Sequence, residues 1–271
     1  MIADILERFQ GKRVLVLGDV MLDHYVWGDV ERISPEAPVP VLEVQKEEFR
    51  LGGAANVALN IRTLSGEPLL LGVIGKDSAA NDIVHLLQEK DIATDGLVID
   101  SSRSTTLKTR IGAINQQIVR LDYETKNDIN LETMRKLLTN LEGLLKNCDA
   151  MIIEDYNKGL LTAKVIEEAL RYAREKNVPV AVDPKQKNFM AYQGVDIFKP
   201  NYKELQTISG KIFETEAEFI KTARDFQHRM NIKNFIVTRG AQGMYVLEGI
   251  GGPIHLPTCA REVYDVSGAG D

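Results

Sequence analysis

The sequence predicts an α/β protein: a doubly wound, mainly parallel sheet flanked by helices, with a small β lid lying outside it. Three observations lead there. In the second half of the chain, short apolar runs alternate with helical stretches, and each run ends in polar or charged residues; βαβ units give this repetition, with their strand tips gathered along one edge. The runs themselves, such as Arg13-Val14-Leu15-Val16-Leu17-Gly18, are almost continuously apolar, as strands buried on both faces are. Two stretches, about 25–49 and 105–122, break this pattern with β-rich, partly Pro-rich sequence and are placed in the lid.

Taken in order, Ile2 to Phe9 reads as a short amphipathic helix and Arg13 to Gly18 as a central strand. Asp19 and Asp23 follow it, so two carboxylates are expected at its C-terminal edge, where open α/β sheets place ligands; Asp19 is also suited to capping the next turn. From Tyr25 to Phe49, Pro35, Pro38 and Pro40 forbid a helix and suit extended edge strands. Leu51-Gly52-Gly53-Ala54-Ala55-Asn56 then opens a helix that runs on to about Ser65. Gly52 and Gly53 let backbone approach a ligand, and Asn56 can offer its amide to a hydroxyl, although a tightly packed helix start needs the same residues. Pro68 to Ile74 is a strand, Asp77 or Ser78 caps a helix to about Lys90, and Gly96 to Ile99 is a strand. Thr105 to Ile111 and Gln116 to Asp122 suit a hairpin joined through residues 112–115. It carries Lys108, Arg110 and Arg120, a basic cluster fit to clamp a phosphate, although each of them singly suits surface solvation equally well.

The second half is more regular. A helix from Asn130 to Lys146 precedes the strand Ala150 to Ile153, which ends in Glu154-Asp155-Tyr156-Asn157-Lys158-Gly159. Thr162 begins a helix to Lys176; Val178 to Val182 is a strand ending in Asp183-Pro184-Lys185, and Val195 to Phe198 one ending in Lys199-Pro200-Asn201. Asn201-x-x-Glu204 has the spacing of a capping box for a helix to Ser209. A helix from Glu214 to about Arg229, a strand Asn234 to Val237, the turn Thr238-Arg239-Gly240-Ala241-Gln242-Gly243 and a strand Met244 to Leu247 complete the series.

Bulk properties narrow the function. A formal charge of -6 argues against a nucleic-acid footprint or an anionic membrane as the main partner, while leaving small anionic ligands open. Cys148 and Cys259 are too few and too far apart for a disulfide framework or a zinc site, which fits a reducing cytoplasm. The N-terminal residues carry acids among their apolar positions and do not form a signal peptide.

The chemistry concentrates in Asp265-Val266-Ser267-Gly268-Ala269-Gly270-Asp271. Gly268, Ala269 and Gly270 can pack into a turn whose amide N–H groups converge on an anion. Asp271, just beyond, is placed to take a proton from a hydroxyl that attacks a phosphate held there. Phosphoryl transfer needs little else, since positioning and charge neutralisation supply most of its catalysis. Such a loop also serves merely to turn a chain.

Four motifs occur together in order: Gly52-Gly53-Ala54-Ala55-Asn56, Asn201-x-x-Glu204, Thr238-x-Gly240-x-x-Gly243 and Asp265-x-x-Gly268-Ala269-Gly270-Asp271. In this the whole chain resembles the ribokinase-like (pfkB carbohydrate kinase) family. More narrowly, Gly18-Asp19-Val20-Met21-Leu22-Asp23, Arg32 to Pro40, Asn115 to Asp122, Asp155-Tyr156-x-Lys158-Gly159 and Asp183-Pro184-Lys185 resemble its D-glycero-β-D-manno-heptose 7-phosphate kinase branch. The resemblance implies Asp271 as catalytic base and Gly268 to Gly270 as anion hole. It implies Asp19, Gly52, Gly53 and Asn56 as sugar contacts, and Asp155, Lys158, Lys108, Arg110 and Arg120 as contacts to the heptose and its phosphate. It further implies Lys185 beside the transferring phosphate, Asn201 and Glu204 organising Mg2+ and the ATP phosphates through water or phosphate, and Thr238, Gly240 and Gly243 as the nucleotide loop. A homodimer through the lid and a fused or separate adenylyltransferase are implied as partners. In the family a further stretch follows the position of Asp271, so part of the ATP site is expected to be missing from these 271 residues. A kinase of the same fold acting on another sugar, sugar phosphate or nucleoside is the alternative within enzymes. A sugar sensor is disfavoured because it has no use for a base, and a dinucleotide oxidoreductase because Gly18-Asp19 lacks the Gly-x-Gly-x-x-Gly spacing.

Overall fold

In a computed structural model the protein is described for residues 2–113, 116–249 and 251–258. The chain opens with α1 (Ile2–Glu7), β1 (Arg13–Gly18), β2 (Val20–Ile33), β3 (Pro40–Gly53), α2 (Ala54–Thr63), β4 (Glu67–Ile74), α3 (Ser78–Glu89) and β5 (Leu97–Ile99). It continues through β6 (Thr106–Ala113), β7 (Gln116–Tyr123), α4 (Leu131–Leu145), β8 (Ala150–Glu154), α5 (Ala163–Lys176), β9 (Val180–Asp183) and β10 (Ile197–Phe198). α6 (Tyr202–Ser209), α7 (Glu216–Arg229), β11 (Asn234–Thr238), β12 (Met244–Glu248) and β13 (Pro253–Leu256) follow.

Nine strands form one sheet in the order β13-β12-β11-β10-β9-β8-β1-β4-β5. All neighbours are parallel from β11 to β5, and β12 and β13 add to the edge antiparallel. β1 lies inside this sheet, between β4 and β8, and that position explains its unbroken apolar run. Leu15 and Leu17 enter a core built with α4, α5 and α7, while Val16 enters a second core with α2 and α3. The helices show the matching stripe: α4 buries Leu137, Leu141 and Leu145 at four-residue spacing, so one face of the helix is apolar. Each fully buried leucine of this kind contributes about 1.5–3 kcal/mol. Starts are set by side-chain caps, Asp77 for α3, Asn130 for α4, Thr162 for α5 and Thr215 for α7, each satisfying an otherwise unpaired amide.

The remaining strands make a separate four-stranded sheet, β3-β2-β6-β7. Pro35 and Pro38 fall in the loop between β2 and β3, and Pro40 is the first residue of β3, a position that needs no ladder donor. Because β2 starts directly after Asp19, Asp23 does not stand at the edge of the large sheet. It lies within the small sheet, opposite Arg50 and Lys108, which corrects the expectation of two carboxylates at one strand tip. Neither the 3-10 turn Gln186–Ala191 nor β13 was anticipated. The former is too short to show a period, and every residue of the latter is exposed, so it lacks alternation.

Candidate active site

Asp19 ends the central strand and is the best-defined group of the site. Its side chain is only 4% exposed, and Oδ2 accepts backbone N–H groups of Tyr156 (2.8 Å) and Lys158 (3.1 Å). Oδ1 accepts no hydrogen bond from the described residues. Burial pushes the carboxyl up to about 6, against the pull of the two amides and of Arg103; desolvation of the charged form outweighs them. Gly53 packs against the same residue. It caps α2 with φ +55, and a Cβ there would collide with the Asp19 carbonyl oxygen. That carbonyl accepts the Ala54 N–H at 3.1 Å. Asp19, Gly52, Gly53 and the start of α2 are thus brought together by the β2–β3 ladder, in which Val20 faces Gly53 and Met21 faces Gly52.

The loop after β8 supplies the amides that hold Asp19. Its conformation is set from below by Asp155, which is 0% exposed. Oδ1 accepts the Asn157 N–H (2.8 Å), and Oδ2 accepts Tyr192 Oη (2.7 Å) and Asn188 Nδ2 (3.1 Å). This departs from the expectation that Asp155 meets the sugar: both oxygens are occupied within the protein, and what faces the site is the backbone that Asp155 braces.

Lys158 turns from this loop toward the small sheet, where its Nζ donates to Glu124 at 2.5 Å. Lys108 stands 3.7 Å from Glu124 and 3.8 Å from Asp122, Arg120 pairs with Asp122 at 2.9 Å, and Lys126 reaches the other Glu124 oxygen at 2.9 Å. Arg110 donates to Asp23 at 2.5 Å and, like Arg50, lies over the Tyr25 ring. Register explains the gathering. Arg50, Asp23, Lys108 and Asp122 face one another across the four strands, as do Glu48, Tyr25, Arg110 and Arg120, so one face of the sheet is charged. The expected basic clamp is therefore a set of cations interleaved with Asp23, Asp122 and Glu124. Burial and the neighbouring Lys158 hold the Lys108 ammonium below its ordinary value. Asn56 lines a cleft of about 390 Å3 with Asp23, Tyr25, Arg50 and Leu59.

A second group sits at the tips of β9, β10 and β11. Glu204, 6% exposed, accepts the Asn201 N–H through Oε2 at 2.8 Å and Lys185 Nζ through Oε1 at 2.6 Å. Asn201 Oδ1 accepts the Glu204 N–H at 2.9 Å, which closes the capping box that the spacing suggested. Lys199 Nζ pairs with Asp183 at 2.5 Å. Burial opposes the charge of Lys185, yet Asp183 and Glu204 hold it above the usual lysine value. Asn201 and Thr238 form a parallel bridge, and Gly240 and Gly243, both at positive φ, shape the turn that follows. Tyr156 joins the two groups: its N–H binds Asp19, and its ring lies 5.3 Å from Lys185 Nζ.

Sequence reasoning missed Glu124, Lys199 and Arg103. Glu124 had a signal, being in phase with Asp122 on a β run, whereas Arg103 lies in a polar turn with nothing to mark it. Gly268, Ala269, Gly270 and Asp271 lie outside the described residues. Chemically, the described part offers a buried carboxylate for hydroxyls, cations for an anion beside it, and a Lys-Glu-Asn group at the adjoining strand tips.

Comparison with known proteins agrees with this arrangement. The model of the pfkB family of carbohydrate kinases matches residues 12–271. The chain is 39% identical over 270 residues to bifunctional protein HldE of Pelobacter propionicus, covering 100% of this chain and 55% of that protein. It is 41% identical over 260 residues to bifunctional protein HldE of Helicobacter pylori J99, covering 96% and 56%. The chain thus spans about half the length of the curated relatives it matches. Among solved structures, Escherichia coli phosphofructokinase-2 in complex with fructose-6-phosphate superposes with a TM-score of 0.76 at 16% identity, covering 96% of this chain and 84% of that one. Arabidopsis thaliana ribokinase complexed with ribose and ATP gives 0.71 at 17% identity, covering 96% and 83%. These two share the fold, and the family match together with relatives near 40% identity over the full chain carries the assignment: the chain belongs to the pfkB family of carbohydrate kinases.

Proposed function

We propose that the chain is the kinase unit that transfers the γ-phosphate of ATP to the C1 hydroxyl of D-glycero-β-D-manno-heptose 7-phosphate, giving heptose 1,7-bisphosphate for ADP-heptose and lipopolysaccharide core synthesis. The observation that carries this reading is Lys158. Its N–H orients the buried Asp19 carboxylate and its ammonium stands with Lys108 on the small sheet, so one residue joins a buried carboxylate to a face rich in cations. The branch motifs and the identity with the HldE proteins over the whole chain support the same substrate.

In the proposed mechanism Asp19, with Gly52, Gly53 and Asn56 around it, binds the sugar hydroxyls. Lys158, Lys108, Arg110 and Arg120 exchange part of their internal ion pairs for the 7-phosphate. Asp271 removes the proton from O1, the O1–P bond forms as the bond from γ-phosphorus to its bridging oxygen breaks, and ADP leaves. The Gly268 to Gly270 amides and Lys185 neutralise the phosphoryl oxygens, and Thr238, Gly240 and Gly243 border the nucleotide. Asn201 and Glu204 fit Mg2+ held through water: their oxygens are hard donors already engaged by N–H and ammonium groups, and such sites usually keep several waters on the ion. Bound there, Mg2+ would supply charge neutralisation on the ATP phosphates. The small sheet acts as a lid and as the contact between two copies, in the cytoplasm, and a fused or separate adenylyltransferase acts later, on the heptose 1-phosphate left once the 7-phosphate has been hydrolysed.

Calorimetric titration with the heptose 7-phosphate, and with fructose 6-phosphate, ribose and adenosine for comparison, tests the substrate. Selective binding of the heptose phosphate is expected, and preference for another sugar would overturn the assignment while keeping the family. Asp271→Asn should lower turnover by about 10²–10⁴ while leaving sugar affinity nearly intact, the usual worth of a positioned base; unchanged turnover would remove Asp271 from that role.

A further inference from the structure

Arg103 stands in the turn between β5 and β6, apart from every motif, yet its guanidinium spans two segments of the site. Nη2 donates to the carbonyl oxygen of Thr125 at 3.1 Å and to that of Lys158. Lys158 is thereby held at three points: its N–H on Asp19 Oδ2, its carbonyl on Arg103, and its Nζ on Glu124. The second segment is tied beside the first, because Thr125 follows Glu124 and its Oγ1 lies 3.2 Å from Ser104 Oγ. Gly159 completes the brace. Its φ is +86, a Cβ there would collide with the Asn127 carbonyl, and its own carbonyl accepts the Ile129 N–H at 2.9 Å. Among the described residues Arg103 makes no ion pair within 4.0 Å. Its donors go to carbonyl groups, and a planar guanidinium can serve two acceptors at fixed angles where an ammonium serves them poorly.

We infer that Arg103 is a positioning residue for the sugar phosphate: it clamps the Lys158 and Thr125 carbonyls together, and so fixes both the amides that orient Asp19 and the ammonium that faces the phosphate. The inference rests on the sugar-phosphate reading above for its ligand, and on the free protein for its geometry. A hydrogen bond made by a charged donor is worth roughly 10- to 100-fold in an equilibrium constant, which bounds the affinity that loss of the clamp can remove.

Two variants test it, Arg103→Gln and Arg103→Lys, in two measurements. Amide hydrogen exchange of the free protein reads the clamp directly, because the Tyr156 and Lys158 N–H groups are those bonded to Asp19. Arg103→Gln should accelerate exchange in residues 155–159 and leave exchange in β8 unchanged, with a small drop in melting temperature from the two lost hydrogen bonds. Calorimetry should then show heptose 7-phosphate binding weakened roughly 10- to 100-fold with MgATP binding unaltered, and Arg103→Lys should recover part of both losses. Unchanged exchange in 155–159 would overturn the inference, as would acceleration spread equally over β8 and the loop with equal weakening of both ligands. Failure of the unaltered protein to bind the heptose phosphate would count against the substrate alone, and the exchange arm would still decide for or against the clamp.

Discussion

Asp19 carries a cost that its neighbours only partly offset. Its folded carboxyl sits at about 6 instead of 3.8 because burial penalises the charge more than the two amides and Arg103 favour it. The sign follows from linkage: a raised acid binds its proton more tightly in the folded state, so its contribution favours folding below about pH 4 and is lost as pH rises through about 6. At neutral pH the penalty is on the order of 1–3 kcal/mol. Asp19→Asn keeps an acceptor for the Tyr156 and Lys158 amides and removes the charge. Thermal unfolding should therefore show the variant more stable at pH 7 to 8, with the difference shrinking toward pH 4, while sugar binding falls. A variant no more stable at pH 8 than the parent would mean that solvent or neighbouring groups already stabilise the carboxylate. The same residue shows what was legible in the sequence. The strand tip and its acid could be read from Arg13 to Asp19, but the bracing role of Asp155 beneath the loop could not, because both acids follow apolar runs and only Tyr192 and Asn188, 33 or more positions downstream, decide which has both oxygens engaged within the protein.

Elements place these residues through backbone conformations that few side chains tolerate. Gly53 joins β3 to α2 at φ +55 with the Asp19 carbonyl against its Cα. Gly53→Ala adds both left-handed strain and a steric clash, each of order 1–3 kcal/mol. The expected outcome is a loss of at least about 2 kcal/mol in denaturant unfolding together with weakened sugar binding, since Asp19 must shift to admit the methyl group. Stability and binding both unchanged would show that the strand-to-helix junction yields freely. Gly159→Ala should act on the loop after β8 in the same way. Element types were readable wherever one physical demand dominated: β1 from burial on two faces, α4 from its four-residue stripe, the start of α6 from its capping box. The small sheet was readable only as strands outside the main sheet. Its charged face depends on cross-strand register, and Asp23, Lys108 and Arg110 become neighbours only once the parallel pairing of β2 with β6 is known.

At the scale of the whole molecule, the two faces of the small sheet differ in character. The charged face meets Lys158 and the large sheet's site. On the opposite face Phe49, His24, Thr109 and Leu121 form a row across all four strands, with Phe49 stacked on His24 at 4.3 Å. Leu22 and Leu51 on that face are covered by α2 and α3, whereas Phe49, Val119, Leu121 and Tyr123 are 40–56% exposed. β7 is moreover an edge strand exposed along its whole length, the kind of edge that proteins ordinarily shield or pair. A second copy related by a two-fold axis would cover the exposed Phe49 and Leu121 with the same residues, an isologous contact that leaves the charged faces directed at two separate sites. Leu121→Glu places a charge at the centre of that row. Light scattering should then show a dimer for the parent and a monomer for the variant, with far-ultraviolet circular dichroism unchanged. Because Lys108 and Arg110 flank Thr109 on β6 and project from its other face, the monomer should bind the heptose phosphate more weakly, whereas a variant that stays dimeric would place the contact elsewhere.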